Sequence, residues 1–268
     1  MSVAVVSFLS MVTSEAFTLA RVEPFYSWNT PICWTGFILF ADSIVYAARG
    51  DSWIRSRPRE FAWLALLSIP LWLVFEGYNL VIRNWYYTGL PENWALRMFG
   101  YAWSFATIWP AIFEGADLIA VWRASSQRPP LPATPAPPAP SAFVALGAAM
   151  LLSPFVVSPD VARYLAAPVW LGFIFFLDPI NKRLGGPSLL DAGNRTIDLL
   201  ASGLLCGVLW EFWNYWSGAK WHYTVPIMEQ VKIFEMPLPG YLGFPAFALE
   251  CFTMFTFTRL LLFRGSAS

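Results

Sequence analysis

Charge is what this chain has least of. Only 13% of its 268 residues are Asp, Glu, Lys or Arg, against 57% hydrophobic residues. Soluble domains carry about 25% charged residues. So little polar surface cannot cover a globule, so the chain must meet an apolar solvent, and lipid is that solvent. The charges balance at 17 basic against 17 acidic, which excludes the basic footprint of a nucleic-acid binder. A single histidine, His222, excludes a multi-histidine iron or zinc centre. The three cysteines, Cys33, Cys206 and Cys251, stand in apolar runs without paired spacing, so neither a disulfide framework nor a zinc ligand set is expected. Neither a glycine loop that would cradle phosphate nor a D-D-x-x-D motif occurs. No metal and no cofactor is expected. The first 20 residues lack a basic leader and a small-residue cleavage site, and read as a membrane segment rather than a removed signal.

What is abundant is aromatic: 18% of the chain, with 15 Trp. Interfacial belts account for part of that, and the walls of a cavity for the rest. A spanning helix needs about 20 mostly apolar residues. Eight stretches qualify, over 3–20, 30–48, 60–82, 98–122, 141–158, 165–181, 196–217 and 241–263, or seven if the first, which carries Glu15, does not span. The expected fold class is therefore all-α, a polytopic transmembrane helical bundle. Between the fourth and fifth stretches runs SSQRPPLPATPAPPAP. Proline removes backbone donors and blocks helix, so this segment reads as an extended linker that stays out of the bilayer. It divides the chain into a first membrane repeat over 1–123, a linker over 124–140 and a second repeat over 141–268.

The two halves resemble each other. The run from Trp34 to Asp42, WTGFILFAD, matches the run from Trp170 to Asp178, WLGFIFFLD. Glu76 and Asn79 match Glu211 and Asn214; Trp85 and Tyr87 match Trp221 and Tyr223; Glu114 matches Glu250. The shift is 136 residues from Asp42 to Asp178 and from Glu114 to Glu250, and 135 from Glu76 to Glu211. A near-constant shift over separate blocks is the signature of internal duplication. Four segments per half return the chain to its starting side, so the repeats are expected to be parallel, related by an axis along the membrane normal. With the 42–60 loop on one side, that side collects 11 of the 17 Lys and Arg and the other side six. The richer side, with both termini, is expected to be cytoplasmic.

Carboxylates inside membrane segments cost roughly 2.5–3.5 kcal/mol each on insertion scales, so their repetition in both halves points to a use. Asp42, Glu76, Glu114, Asp178, Glu211 and Glu250 are the candidate catalytic groups. The E-x-x-N spacing of Glu76 with Asn79, and of Glu211 with Asn214, puts each amide on the same helix face as its carboxyl, where it is expected to orient the acid. A carboxyl in hydrocarbon favours its neutral form, and an oriented carboxylic acid is a general acid. The same pairs would serve equally as interhelical hydrogen-bond clamps. Asp42 and Asp178 are expected to face each other at helix breaks, with Pro179 ending or kinking its helix. The aromatic loops after the Glu helices are read as an interfacial belt or as a lid. With the neighbouring helix residues they supply the candidate substrate-binding set: Asn79, Trp85, Tyr87, Trp210, Trp213, Asn214, Trp221 and Tyr223. Three prolines and two glycines between Phe234 and Pro245 predict a non-helical approach to the last helix, tolerated at membrane depth only where buried or lining a cavity.

The duplicated architecture with intramembrane carboxylates resembles the bacterial and fungal lycopene cyclases, and the helical Glu followed by W-x-Y and a proline-bearing helix start resembles the membrane carotenoid hydratases. That resemblance rests on Glu76, Glu211, Tyr87 and Tyr223. It implies acid chemistry on an apolar isoprenoid lipid, without cofactor, in a bacterial inner membrane. The physics agrees, because a carbocation needs aromatic faces and walls that exclude water. Two other classes stay open. One is a proton- or cation-coupled carrier built from parallel repeats. The other is a structural or assembly subunit whose acids are packing clamps.

Overall fold

The computed structural model describes residues 2–126 and 141–263. Most of the expected proline-rich linker, with Arg128, lies outside the described residues, as does Arg264. The helices are α1 (Val3–Leu19), α2 (Phe25–Arg49), α3 (Trp53–Ser56), α4 (Pro58–Ile82), α5 (Trp94–Ala106) and α6 (Ile108–Ser125), then α7 (Ser141–Val156), α8 (Pro159–Ala162), α9 (Ala166–Arg183), α10 (Asn194–Trp216) and α11 (Gly243–Phe263). The short strands are β1 (Trp85–Thr88), β2 (Lys220–Tyr223), β3 (Lys232–Ile233) and β4 (Met236–Pro237), and a 3-10 turn over Leu238–Leu242 leads into α11.

Five helical stretches are long and apolar enough to cross a membrane: Phe25–Arg49, Pro58–Ile82, Trp94–Ser125, Asn194–Trp216 and Leu238–Phe263. The protein is thus an all-α integral membrane protein. Of the other three expected segments, α1 and α7 are apolar but shorter, at 17 and 16 residues, and α9 carries Asp178, Lys182 and Arg183 in its last turns. Leu66, Leu73 and Leu80 on α4, Leu152 and Val156 on α7, and Leu261 and Leu262 on α11 point outward, as a lipid-facing surface requires.

Capping residues define several helix ends. Ser2, Ser52 and Asn93 accept backbone N–H groups in the first turns of α1, α3 and α5. Gly50 closes α2 in the left-handed region at φ 71°. The stretch expected as one helix over 98–122 is broken at Thr107, three residues before Pro110, into α5 and α6. A proline cannot donate to the carbonyl four residues back. Ser68 of α4 repairs the joint, its hydroxyl donating to Phe105 O and accepting from Trp109 N at 3.2 Å. Pro31 likewise bends α2, with a non-helical Trp28 (φ −120°, ψ 16°) three residues upstream. Of the two outcomes expected at Pro179, an end to the helix does not occur: α9 runs on to Arg183.

The packing follows small residues. A Cβ on Gly36 of α2 would come within 2.6 Å of Met11 Cγ on α1, and one on Gly147 of α7 within 2.4 Å of Phe176 N on α9. Glycine therefore lets α1 lie against α2 and α7 against α9. Arginine–aspartate pairs tie the other elements at one end of the bundle: Arg123 with Asp198 through two bonds of 2.9 Å, Arg195 with Asp117 at 2.6 Å and Arg55 with Asp42 at 3.7 Å.

β1 and β2 pair antiparallel, with Trp85 opposite Tyr223, Tyr86 opposite His222 and Tyr87 opposite Trp221. Each of the two W-x-Y segments therefore meets the other in reversed order about the Tyr86–His222 pair, whose rings stack at 5.3 Å.

Candidate functional site

Beside the β1–β2 ribbon lies a cavity of about 470 Å³, within the 300–1,000 Å³ range of small-molecule sites. Its wall is aromatic. Trp72 comes from α4, Trp85 and Tyr87 from β1, Trp170 from α9, Trp210 from α10, and Trp221 and Tyr223 from β2. Phe247 of α11 sits among them, 5.4 Å from Trp170 and 5.9 Å from Trp72, centroid to centroid. Toward one end the lining reaches Tyr164 and Leu242, both exposed, so the cavity communicates with the outside of the bundle there.

The two glutamates of the E-x-x-N pairs stand one layer behind this wall. Glu76 Oε1 accepts three bonds, from Tyr87 OH at 2.5 Å, Trp72 Nε1 at 2.9 Å and Trp85 Nε1 at 3.3 Å. Glu211, fully buried, accepts at Oε1 from Tyr223 OH at 3.0 Å, while among the described residues its Oε2 and the Nε1 of Trp221 have no well-formed hydrogen bond. The carboxyls thus reach the cavity through two phenols. Burial, reinforced by the adjoining glutamates, pushes the pKa values of Tyr87 and Tyr223 well above the ordinary tyrosine value. Both phenols therefore remain protonated donors through the physiological range.

The asparagines do other work than expected. Asn79 does not hold Glu76; its Oδ1 accepts from Asn84 N and Trp85 N, and its Nδ2 donates to Trp85 O. Asn214 repeats this with Trp221, accepting from its N and donating to its O, both at 2.9 Å. Each amide mimics a strand edge and staples the aromatic ribbon to the end of its helix. Spacing placed the amide on the right helix face, but its partner is the returning backbone. Trp213 lies behind the wall, edge-on to Trp34 at 4.8 Å.

The remaining acids lie off the cavity. Asp42 and Asp178 do not pair with each other. Asp42 accepts from Ile54 N at 2.8 Å, and Asp178 from Leu189 N at 2.9 Å and Ser188 Oγ at 2.8 Å, so each anchors its own following loop. A carboxylate near a helix end finds the next loop's free N–H groups closer than a distant counterpart. Glu114 and Glu250 are fully buried on α6 and α11; among the described residues no donor bonds either carboxyl, and neither lines the cavity.

Several wall residues carried weak sequence signals. Trp72 precedes Glu76 by four residues, one helical turn, and so shares its face. Trp34 and Trp170 open the matched runs, and both reach the cavity. Phe247 and the cationic rim residues Arg97 and Arg163 carried no signal. Among the described residues no group of three His, Cys, Asp or Glu side chains is arranged to hold a metal ion. No protein-family model, no curated protein and no solved structure matches this chain.

Proposed function

We propose that the protein is an intramembrane enzyme that performs acid–base chemistry of the carbocation type on an isoprenoid or carotenoid-like lipid, as a cyclase, hydratase or isomerase. One observation carries this reading: two phenols on the wall of an aromatic cavity, each bonded from behind to a glutamate. In the step envisaged, Tyr223 gives its proton to an alkene carbon of the substrate, leaving a carbocation and a phenolate. Glu211, as the acid, returns a proton to the phenolate. The cation is held by the faces of Trp210, Trp221 and Trp170. It ends by losing an adjacent proton, directly or after attack of a second double bond, or by capture of water, and in each case the released proton returns through Tyr223 to the Glu211 carboxylate. Aromatic walls that keep bulk water from the cation suppress side reactions.

The lining contains no carboxylate, which favours an apolar molecule held for reaction over the ion path that a carrier requires. A cavity of this size speaks against acids that serve only as packing clamps. The matching Asn–Trp staples, the matching Glu–Tyr pairs and the self-complementary register support a duplicated, parallel pair of repeats. The arginine-rich end, with Arg49, Arg55, Arg123 and Arg195, supports a cytoplasmic assignment for that side in an inner membrane.

Lipid and pigment profiling of cells with and without the gene tests the reading. A cyclised, hydrated or isomerised isoprenoid should appear with the gene and vanish in Glu211→Gln, whose amide keeps the shape but cannot supply the proton. An unchanged profile in the deletion would overturn it.

A further inference from the structure

The cavity wall is apolar and aromatic, yet three charged residues line it, and all three are cations: Arg97, Arg163 and Lys220. Lys220 is neutralised by Glu235 at 3.2 Å. Arg97 uses only its Nε, which donates to Pro91 O at 3.0 Å. Its two terminal nitrogens, and the guanidinium of Arg163, have no ion pair among the described residues. Neither side chain is loosely placed at its root. The Nε bond of Arg97 fixes the plane of its fork, and Asn84 Nδ2 donates to Arg163 O at 2.9 Å, holding that turn beside the ribbon. Two guanidiniums without carboxylates line the same apolar chamber, and each offers a fork of donors suited to a planar or tetrahedral oxyanion.

Resting on the reading of the chamber as an isoprenoid site, we infer that the substrate is amphipathic: an isoprenoid chain enters the aromatic chamber while a phosphate or carboxylate head is gripped by Arg97 and Arg163. The head sets the depth of the chain, and with it which double bond lies against Tyr223.

Binding to the purified protein in phosphatidylcholine nanodiscs, followed through the fluorescence of the wall tryptophans, provides the test. Farnesyl phosphate should bind at least tenfold more tightly than farnesol, and Arg97→Gln with Arg163→Gln should bring the two to parity while farnesol binding is retained, which also reports a folded chamber. Inorganic phosphate alone should leave the fluorescence unchanged, and phosphatidylglycerol should not displace farnesyl phosphate. Equal binding of alcohol and phosphate by the native protein, a preference that survives the double substitution, or displacement by phosphatidylglycerol would overturn the inference and leave the isoprenoid chamber standing. Binding of neither probe would overturn both.

Discussion

The two glutamate–tyrosine pairs occupy matching places and are bonded differently. Glu76 is saturated at one oxygen by a phenol and two indoles, whereas Glu211 receives Tyr223 at one oxygen and, among the described residues, its second oxygen and the indole N–H of Trp221 are buried without a well-formed hydrogen bond. A buried polar atom without a partner costs about 1–3 kcal/mol, and such groups persist where they are used. On the proposed reading, the first pair has the character of a clamp and the second that of a working site. On the same reading, satisfaction of the hydrogen bonds in one pair leaves the other free for chemistry.

Substitution of the phenols breaks this comparison most directly. Tyr223→Phe is expected to cut lipid conversion by at least ~100-fold, the usual scale for a lost general acid, with Tyr87→Phe costing no more than about tenfold. Product yield per unit of folded protein measures both, and the reverse order would assign the work to the first half. The staples come next. Asn214→Ala strands the N–H and C=O of Trp221, and should lower stability by roughly 1–3 kcal/mol per group; Asn79→Ala strands an additional N–H and should cost more. Thermal unfolding in detergent ranks them.

Helix seams provide a smaller contrast. Gly147→Ala drives a methyl against backbone of α9, and should cost about 1–3 kcal/mol as overpacking. Gly36→Ala meets chiefly the Met11 side chain, at Cγ, with backbone no nearer than Ser7 O at 3.2 Å, and should cost less, a difference readable in unfolding midpoints. The smallest effect concerns pH. Glu235 loses some solvation through burial, but His222 at 3.1 Å and Lys220 outweigh that and hold its carboxyl below the ordinary glutamate value. Its contribution is complete above the ordinary glutamate range and is lost as pH falls through the lowered folded value. Proteolytic protection of the β2–β3 segment should fall over that acid range in the native protein and be insensitive to it in Glu235→Gln.

Much of the architecture was legible in composition and repetition. Hydropathy located the helical segments, because lipid exposure demands apolar side chains regardless of tertiary detail. It could not see the break at Thr107, because Phe105 O and Trp109 N, which part at the joint, are satisfied by Ser68, a residue some forty positions earlier. Nor could it deny Pro179 a place within α9, since a buried helix continues where its neighbours hold it. The paired blocks located Glu76, Glu211, Tyr87 and Tyr223, but partner identity is non-local. The asparagines were assigned to the carboxyls on shared helix face, and the structure gives them to the ribbon. Asp42 and Asp178 matched in sequence because both halves need the same loop anchored. The chamber itself, with Phe247, Arg97 and Arg163, is assembled from segments far apart in the chain, and no local pattern announces it.

The ribbon makes the site sensitive to chain length as well as to chemistry. Successive residues of a strand turn to opposite faces, so Trp85, Tyr87, Trp221 and Tyr223 share one side while Tyr86 and His222 take the other. One residue inserted between Trp216 and Lys220 would, if the pairing slipped to absorb it, swing both β2 aromatics away from the chamber and leave Glu211 facing a histidine. The site has a reading frame of its own, and it can be silenced without altering a single residue that lines it.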